Sequence, residues 1–278
     1  MSRASQTETC VEGVGLHSGL PSRVVVRRRA GPVTLEACGT RARIDQLEIA
    51  STVRSTTVEA RGGGLRVATV EHAFAALAGL GVYEGLGLEV DGPEMPLLDG
   101  GAATWCEAVQ RLGVLPGPPR LRIDRAGTIE VGASRYDFAP GDRVEVEVRI
   151  ELEGFDEGCV LPEARWQGNA ADFRLRIAPA RTFALSSDVG ELAAAGLARH
   201  VDRESVVVLA PPDMAHSAGR PFAPDEPARH KLLDLVGDLY LRGGPPRGRL
   251  RAVRPGHAAN ALAVRRALLE GIVVAEGC

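Results

Sequence analysis

The sequence predicts an α+β protein of two related domains, each a mainly antiparallel sheet with helices on one face. Three observations predict this fold class. The segment GVLPGPP (113–119) breaks regular structure, and 278 residues exceed the usual length of one domain. On each side of this segment, strand patterns come before helix patterns. The stretches EHAFAALAGL (71–80) and RHKLLDLVGD (229–238) both carry a His followed by Gly seven residues later. We therefore expect domains at 1–115 and 120–278.

The first half contains short alternating runs rich in Val and Leu, which predict strands, and longer runs rich in Ala and Leu, which predict helices. The three consecutive glycines in the middle of Ser55–Thr69 indicate a hairpin. The elements expected in order are the strands SRVVVRR and VTLEACG, that hairpin, a helix from about Val70, the strand LGLEV, and a helix near Ala102.

The second half repeats this order with additions. LRID, TIEVG, RYDFA and RVEVEVRIEL alternate like sheet strands, and the last carries Glu and Arg along one face. A helix at 189–198 and the strand SVVVL form a predicted β-α-β insertion near 184–212. A helix at about 226–241, the strand RGRLRAV and a helix at about 258–269 complete the half.

Composition excludes several classes of protein. A net charge of −3 provides no basic surface for nucleic acid and no polybasic patch for anionic membranes. The sequence has no secretory leader pattern and no apolar run of about 18 residues, so we expect no transmembrane segment. Five cysteines without a C-x-x-C motif favour a reducing compartment, and we expect the protein to be cytoplasmic. Lys231 is the only lysine among 33 basic residues.

Polar groups on apolar helical backgrounds are the candidates for chemistry. His230 and Asp234 are four residues apart, so both project from one helical face. A hydrolytic zinc site needs three such ligands and a position for water, and His72 from the other domain supplies a third. The carboxylate of Glu71 could then accept a proton from that water. A zinc site between the two domains is therefore one hypothesis for this pattern.

Plainer interpretations of the same residues stay open. A His and an Asp four residues apart are commonly a surface or capping pair. Glu71 and His72 could form an exposed first turn in which the acid complements the helix dipole. His257, in the turn PGHAAN, could simply cap the helix that follows.

Six motifs in order resemble those of the UDP-3-O-acyl-N-acetylglucosamine deacetylases, the zinc-dependent family of lipid A biosynthesis. The motifs are GVGLHSG, TVEHAFAALAGLGV, PLLDGGA, ARTF, RHKLLDLVGDL and GHAAN. The resemblance covers the whole chain. It implies helices sandwiched between two sheets, a UDP-sugar substrate, and release of acetate from its N-acetyl group. It also implies one Zn²⁺ per chain, with Fe²⁺ as an alternative, and we expect a monomer.

The resemblance also implies a role for nine residues. The positions that match the family's functional residues are His72, His230 and Asp234 as metal ligands, Glu71 as general base, His257 as a protonated second catalytic group, Thr182 as an oxyanion-supporting hydroxyl, Asp238 as the carboxylate that orients His257, and Phe183 and Lys231 as substrate-binding residues.

Two departures from the family concern the acyl chain and one turn. The insertion reads GLARHVDRES at 196–205, where the family has an apolar G-L-x-L-G-G-S run, and charges are costly to desolvate in an apolar passage. DGGA at 99–102 replaces the usual DGSA. A paralogue acting on an N-acetyl sugar conjugate with a short or absent acyl chain is therefore one alternative. A catalytically silent binding or regulatory protein is another, although a complete set of catalytic residues argues against it.

Overall fold

A computed structural model of the chain describes residues 6–152, 160–187, 204–209 and 221–276. Within the described residues, the predicted strands and helices follow one another in the predicted order, with further short elements between them. The elements are β1 (Glu8–Val14), β2 (Pro21–Pro32), β3 (Thr34–Ala37), β4 (Thr40–Arg43), β5 (Leu47–Ser51), β6 (Thr57–Ala60), β7 (Arg66–Val67), α1 (Glu71–Gly79), β8 (Glu84–Asp91), α2 (Ala103–Arg111), β9 (Leu121–Ile123), β10 (Gly127–Val131), β11 (Ser134–Ala139), β12 (Val144–Arg149), β13 (Glu163–Trp166), α3 (Ala170–Asp172), β14 (Thr182–Leu185), β15 (Val206–Leu209), α4 (Glu226–Tyr240), β16 (Gly248–Val253), α5 (His257–Leu269) and β17 (Val273–Ala275).

The two halves share one sheet topology. The first sheet has the order β1-β2-β8-β3-β4 and the second has the order β10-β11-β16-β12-β13. Numbered along the chain within each sheet, both orders read 1-2-5-3-4. Each sheet is antiparallel except for one parallel pair of strands. This pair is β3 with β8 in the first sheet and β12 with β16 in the second. The predicted α+β class of two related units is confirmed, and the repeat extends to the order and direction of every strand in these two sheets.

The helices occupy the space between the sheets. Every residue of α1 is buried, and α1 packs along α4, which contacts β12 and β13 on its other side. Along β12 the apolar Val146 and Val148 are buried, while the alternating charged residues Glu145, Glu147 and Arg149 are partly exposed. This alternation is what a strand with one face on the core requires. The domain boundaries at 1–115 and 120–278 stay a prediction.

The His and Gly pattern common to both halves has a packing reason. At Gly237 in α4, an added Cβ atom would lie 2.0 Å from the carbonyl oxygen of Glu71, so only glycine lets α4 approach α1 this closely. At the matching Gly79, an added Cβ would lie 2.2 Å from the ring of Phe173. Both glycines therefore mark close contacts of the helical layer.

Smaller sheets complete the fold. β5, β6 and β7 form a three-stranded sheet that includes the predicted hairpin, and β17 pairs with β9. β14 pairs with β15 in parallel, as the outer strands of a β-α-β unit would. The helix predicted at 189–198 and the charged residues 199–203 lie outside the described residues, so the insertion stays a prediction. Within the described ranges, no helix combines the length and apolar character needed to cross a bilayer.

Candidate active site

Three predicted metal ligands meet where α1 packs against α4. Each of His72, His230 and Asp234 offers a ligand atom, and these atoms all lie within 4.8 Å of one another. Nε2 of His72 is 3.8 Å from Oδ1 of Asp234, and Nε2 of His230 is 3.4 Å from the same oxygen. Ligands about 2.1 Å from a tetrahedral zinc ion lie about 3.4 Å apart, and both distances to Asp234 are close to this value. These residues can hold a metal ion.

The protonation of this group suits metal binding. Burial lowers the pKa of His72 to about 3, and burial likewise lowers the pKa of His230. Burial would raise the pKa of Asp234, but the neighbouring His230 and Lys231 outweigh it and hold that pKa well below its ordinary value. Both imidazoles are thus neutral and the carboxylate is ionised at pH 7, which is the state that coordinates a metal.

A backbone carbonyl selects the tautomer of one ligand. Nδ1 of His230 is 3.0 Å from the carbonyl oxygen of Ala180. A carbonyl can only accept, so Nδ1 donates and the lone pair of Nε2 is directed to the group shared with Asp234. Such a partner on the far ring nitrogen is the usual support of a metal-bound histidine.

A second set of titratable groups lies beside the first. Nε2 of His257 is 3.8 Å from Oε1 of Glu71, and Nδ1 of His257 donates to Oδ2 of Asp238 at 2.9 Å. Burial raises the pKa of Glu71 to about 8. Burial lowers the pKa of His257, but the carboxylates of Asp238 and Glu71 outweigh this and raise it to about 10. A carboxyl group and an imidazole with raised pKa values therefore face each other at the candidate metal centre.

The predicted substrate-binding residues lie beside His230 and Asp234. The ring of Phe183 meets the His230 ring edge-on at 6.2 Å between centroids. Nζ of Lys231 lies 5.5 Å from the Phe183 ring centroid and 2.9 Å from Oδ2 of Asp234. Thr182 precedes Phe183 in β14 and is partly exposed. The only lysine of the chain is thus next to the metal group.

The plainer interpretations of these residues do not fit the structure. Glu71, His72, His230 and Asp234 are each at most 4% exposed, so neither pair is a surface pair. The N-cap of α5 is Gly256 with no side-chain hydrogen bond, so the side chain of His257 does not serve as a cap.

The turn that departs from the family pattern is closely packed. An added Cβ at Gly101 would lie 2.3 Å from the carbonyl oxygen of Ala178 and 2.8 Å from that of Ala180. The carbonyl oxygen of Gly100 accepts a hydrogen bond from Thr182 N–H at 2.8 Å. The glycine that replaces the usual serine therefore lies against the segment that supports His230.

Sequence reasoning missed three contributors to the site. Thr56, Asn260 and the carbonyl of Ala180 all contact predicted site residues. Asn260 and Ala180 belong to motifs GHAAN and ARTF, which is the signal that could have indicated them. Thr56 lies in the hairpin segment, and no local pattern distinguishes it.

The fold and the site together define an α+β protein of two related halves with a candidate metal centre between its helices. The particular family follows from comparison with known proteins. A model of the family LpxC, UDP-3-O-acyl N-acetylglycosamine deacetylase, matches residues 3–270. The chain belongs to this family of deacetylases.

Named relatives agree with this assignment. The UDP-3-O-acyl-N-acetylglucosamine deacetylase of Anaeromyxobacter dehalogenans (strain 2CP-C) is 36% identical over 93% of this chain and 84% of its own length. Those of Phenylobacterium zucineum (strain HLK1) and Brucella melitensis biotype 2 (strain ATCC 23457) are 36% and 34% identical. The match to the Phenylobacterium protein covers 91% of this chain and 88% of the relative. The match to the Brucella protein covers 93% of this chain and 92% of the relative.

Proposed function

We propose that this chain hydrolyses the acetamide of UDP-3-O-acyl-N-acetylglucosamine, releasing acetate and a free amine, in lipid A biosynthesis. The observation that carries the proposal is the buried group of His72, His230 and Asp234 with Glu71 and His257 beside it. The family and the names of its relatives support the substrate.

Zinc is the metal we assign to this group, and Fe²⁺ is the alternative, because two neutral imidazoles and one carboxylate suit both ions. Bound there, zinc would supply Lewis acidity that lowers the pKa of a water and polarises the amide carbonyl. His72 and Asp234 would hold the ion together with His230, whose ring is oriented by the Ala180 carbonyl.

Glu71 is the proposed general base. Thr56 N–H donates to its Oε2 at 3.0 Å, which leaves Oε1 facing His257 and free to take a proton from the attacking water. Its raised pKa makes Glu71, once it has lost its proton, a stronger base than an ordinary glutamate.

His257 is the proposed electrophile and proton donor. Held cationic by Asp238, it can stabilise the oxyanion formed by attack on the carbonyl and protonate the leaving nitrogen. We assign Thr182 the supporting hydroxyl at the oxyanion. Phe183 and Lys231 are assigned to the sugar nucleotide, where an aromatic face and a cation suit a ring and a diphosphate.

Several features of this function stay predictions. We expect a cytoplasmic monomer that binds a UDP-sugar and no nucleic acid. The charged residues 199–203 predict weaker discrimination for long acyl chains than a wholly apolar passage would allow, since each buried methylene contributes about 0.8 kcal/mol.

The test is acetate release from UDP-N-acetylglucosamine substrates that differ only in the 3-O-acyl chain, from none to about fourteen carbons. Activity that requires the acyl chain supports the proposed substrate, and a flat series supports the paralogue. A metal-loaded protein that deacetylates none of these substrates would overturn the proposal. The Glu71→Gln variant is the matched control, because it keeps the three metal ligands.

A further inference from the structure

The carboxylate of Asp238 is held at both oxygens by residues outside the assigned catalytic set. Its Oδ1 accepts a hydrogen bond from Thr56 Oγ1 at 2.6 Å. Its Oδ2 accepts from Nδ2 of Asn260 at 2.8 Å and from Nδ1 of His257 at 2.9 Å. Asp238, Thr56 and Asn260 are each at most 4% exposed, so water does not compete for these bonds.

The amide of Asn260 is oriented from the second sheet. Tyr136, in β11, donates its phenolic O–H to Oδ1 of Asn260 at 2.6 Å. Burial raises the pKa of Tyr136 well above its ordinary value, so the phenol stays a donor. An amide whose oxygen accepts from Tyr136 must direct its NH₂ group to Asp238.

Thr56 connects the two carboxylates of the site. Its backbone N–H donates to Oε2 of Glu71 at 3.0 Å, and its hydroxyl donates to Oδ1 of Asp238. Glu71 and Asp238 lie on different helices from different halves of the chain. One residue of the hairpin segment therefore fixes the proposed base relative to the carboxylate that orients His257.

We propose that Thr56 and Asn260 are positioning residues of the deacetylase, with Tyr136 supporting Asn260. They fix the rotation of the Asp238 carboxylate so that its Oδ2 accepts from His257 Nδ1, which directs His257 Nε2 toward Glu71. The expected effect on rate rests on the proposed function. The hydrogen-bond geometry from which the inference is drawn is independent of that function.

The primary test is Thr56→Val, which removes the hydroxyl donor, keeps the backbone N–H to Glu71 and nearly keeps the volume. Losing one hydrogen bond to a charged group predicts a decrease in kcat of about 10- to 100-fold, with KM and metal content little changed. Thr56→Ser retains the donor and should recover most of the rate. In a His257→Gln background, Thr56→Val should lower kcat little further, because Thr56 acts through Asp238 on His257.

A second readout does not depend on activity. The His257 Nδ1–H proton, assigned by NMR from its loss in His257→Gln, should shift or broaden in Thr56→Val and return in Thr56→Ser. Tyr136→Phe should produce a smaller shift and a smaller decrease in kcat, and it provides a second route if Thr56→Val does not fold. An unchanged resonance in a folded Thr56→Val or Tyr136→Phe variant would overturn the inference. If the wild type deacetylates nothing, the proposed function fails while the resonance still tests the positioning.

Discussion

The two halves of the molecule share a scaffold but differ in what they place on it. α1 and α4 each carry a histidine followed by a glycine seven residues later, and the two helices pack together. Four and eight residues after His230 come Asp234 and Asp238, whereas the corresponding positions after His72 hold alanine and leucine. The first half therefore supplies one candidate ligand and the proposed base, and the second half supplies the other two candidate ligands together with Asp238. A repeated scaffold brings two helices face to face, and side-chain differences between them make the site.

The helices that follow the central strands show the same division. In the first half, the carboxylate of Asp99 accepts from the backbone N–H groups of Ala103 and Thr104 at the start of α2. In the second half, α5 begins after Gly256 without a side-chain cap, and His257 turns to Asp238 instead. A capping interaction that stabilises one helix is thus absent where the other helix contributes a candidate catalytic group.

The largest effect is expected when a second-half ligand is removed. His230→Ala should lose most of the bound metal and reduce deacetylation to background, because two remaining ligands rarely retain a zinc ion. Elemental analysis of the purified variant, alongside the wild type, measures this. Unchanged metal content would show that His230 is not a ligand.

Removing the proposed base of the first half should stop the chemistry without changing metal occupancy. Glu71→Gln should lower kcat by about 10²- to 10⁴-fold, the usual contribution of a general base, while metal content stays at the wild-type value. Parallel kinetics and elemental analysis separate the two effects. Loss of metal in this variant would instead assign Glu71 to the ligand set.

The paired glycines provide a matched test of stability. Gly237→Ala and Gly79→Ala should each lower the free energy of unfolding by about 1–3 kcal/mol through overpacking. Gly237→Ala presses on the carbonyl of Glu71 and should also lower kcat, whereas Gly79→Ala presses on Phe173 and should affect stability alone. Denaturant unfolding and steady-state kinetics measure both variants. Equal losses of kcat would mean that the helix crossing does not position Glu71.

The smallest effect concerns pH. Glu71 must lose its proton to act, so kcat/KM rises as pH rises through the pKa of Glu71. This pKa is about 8 without a metal ion, and a bound metal cation lowers it. His257 must keep its proton, so kcat/KM falls as pH rises through its pKa of about 10. Asp238→Asn removes the carboxylate that contributes most to raising the pKa of His257, and should move the falling limb to lower pH. A limb that stays in place would contradict the role assigned to Asp238.

Local patterns in the sequence determined the elements and half of the site. Period-two and helical patterns predicted the strand and helix order, since they depend only on which face of an element meets the core. His230 and Asp234 were predicted together because four residues make one helical turn. Resemblance to a family then assigned roles that spacing alone had left open.

Only the tertiary structure decided which distant residues meet and how their protons are held. His72 and Asp234 lie 162 positions apart in the sequence, and Thr56 and Asp238 lie 182 apart, so no local pattern encodes either contact. The raised pKa of Glu71 depends on its burial, and Gly237 lets α4 approach the backbone of Glu71 closely. The sequence determines which side-chain groups are present. The distances between these groups and their desolvation depend on how the chain packs, and both are needed to form the site.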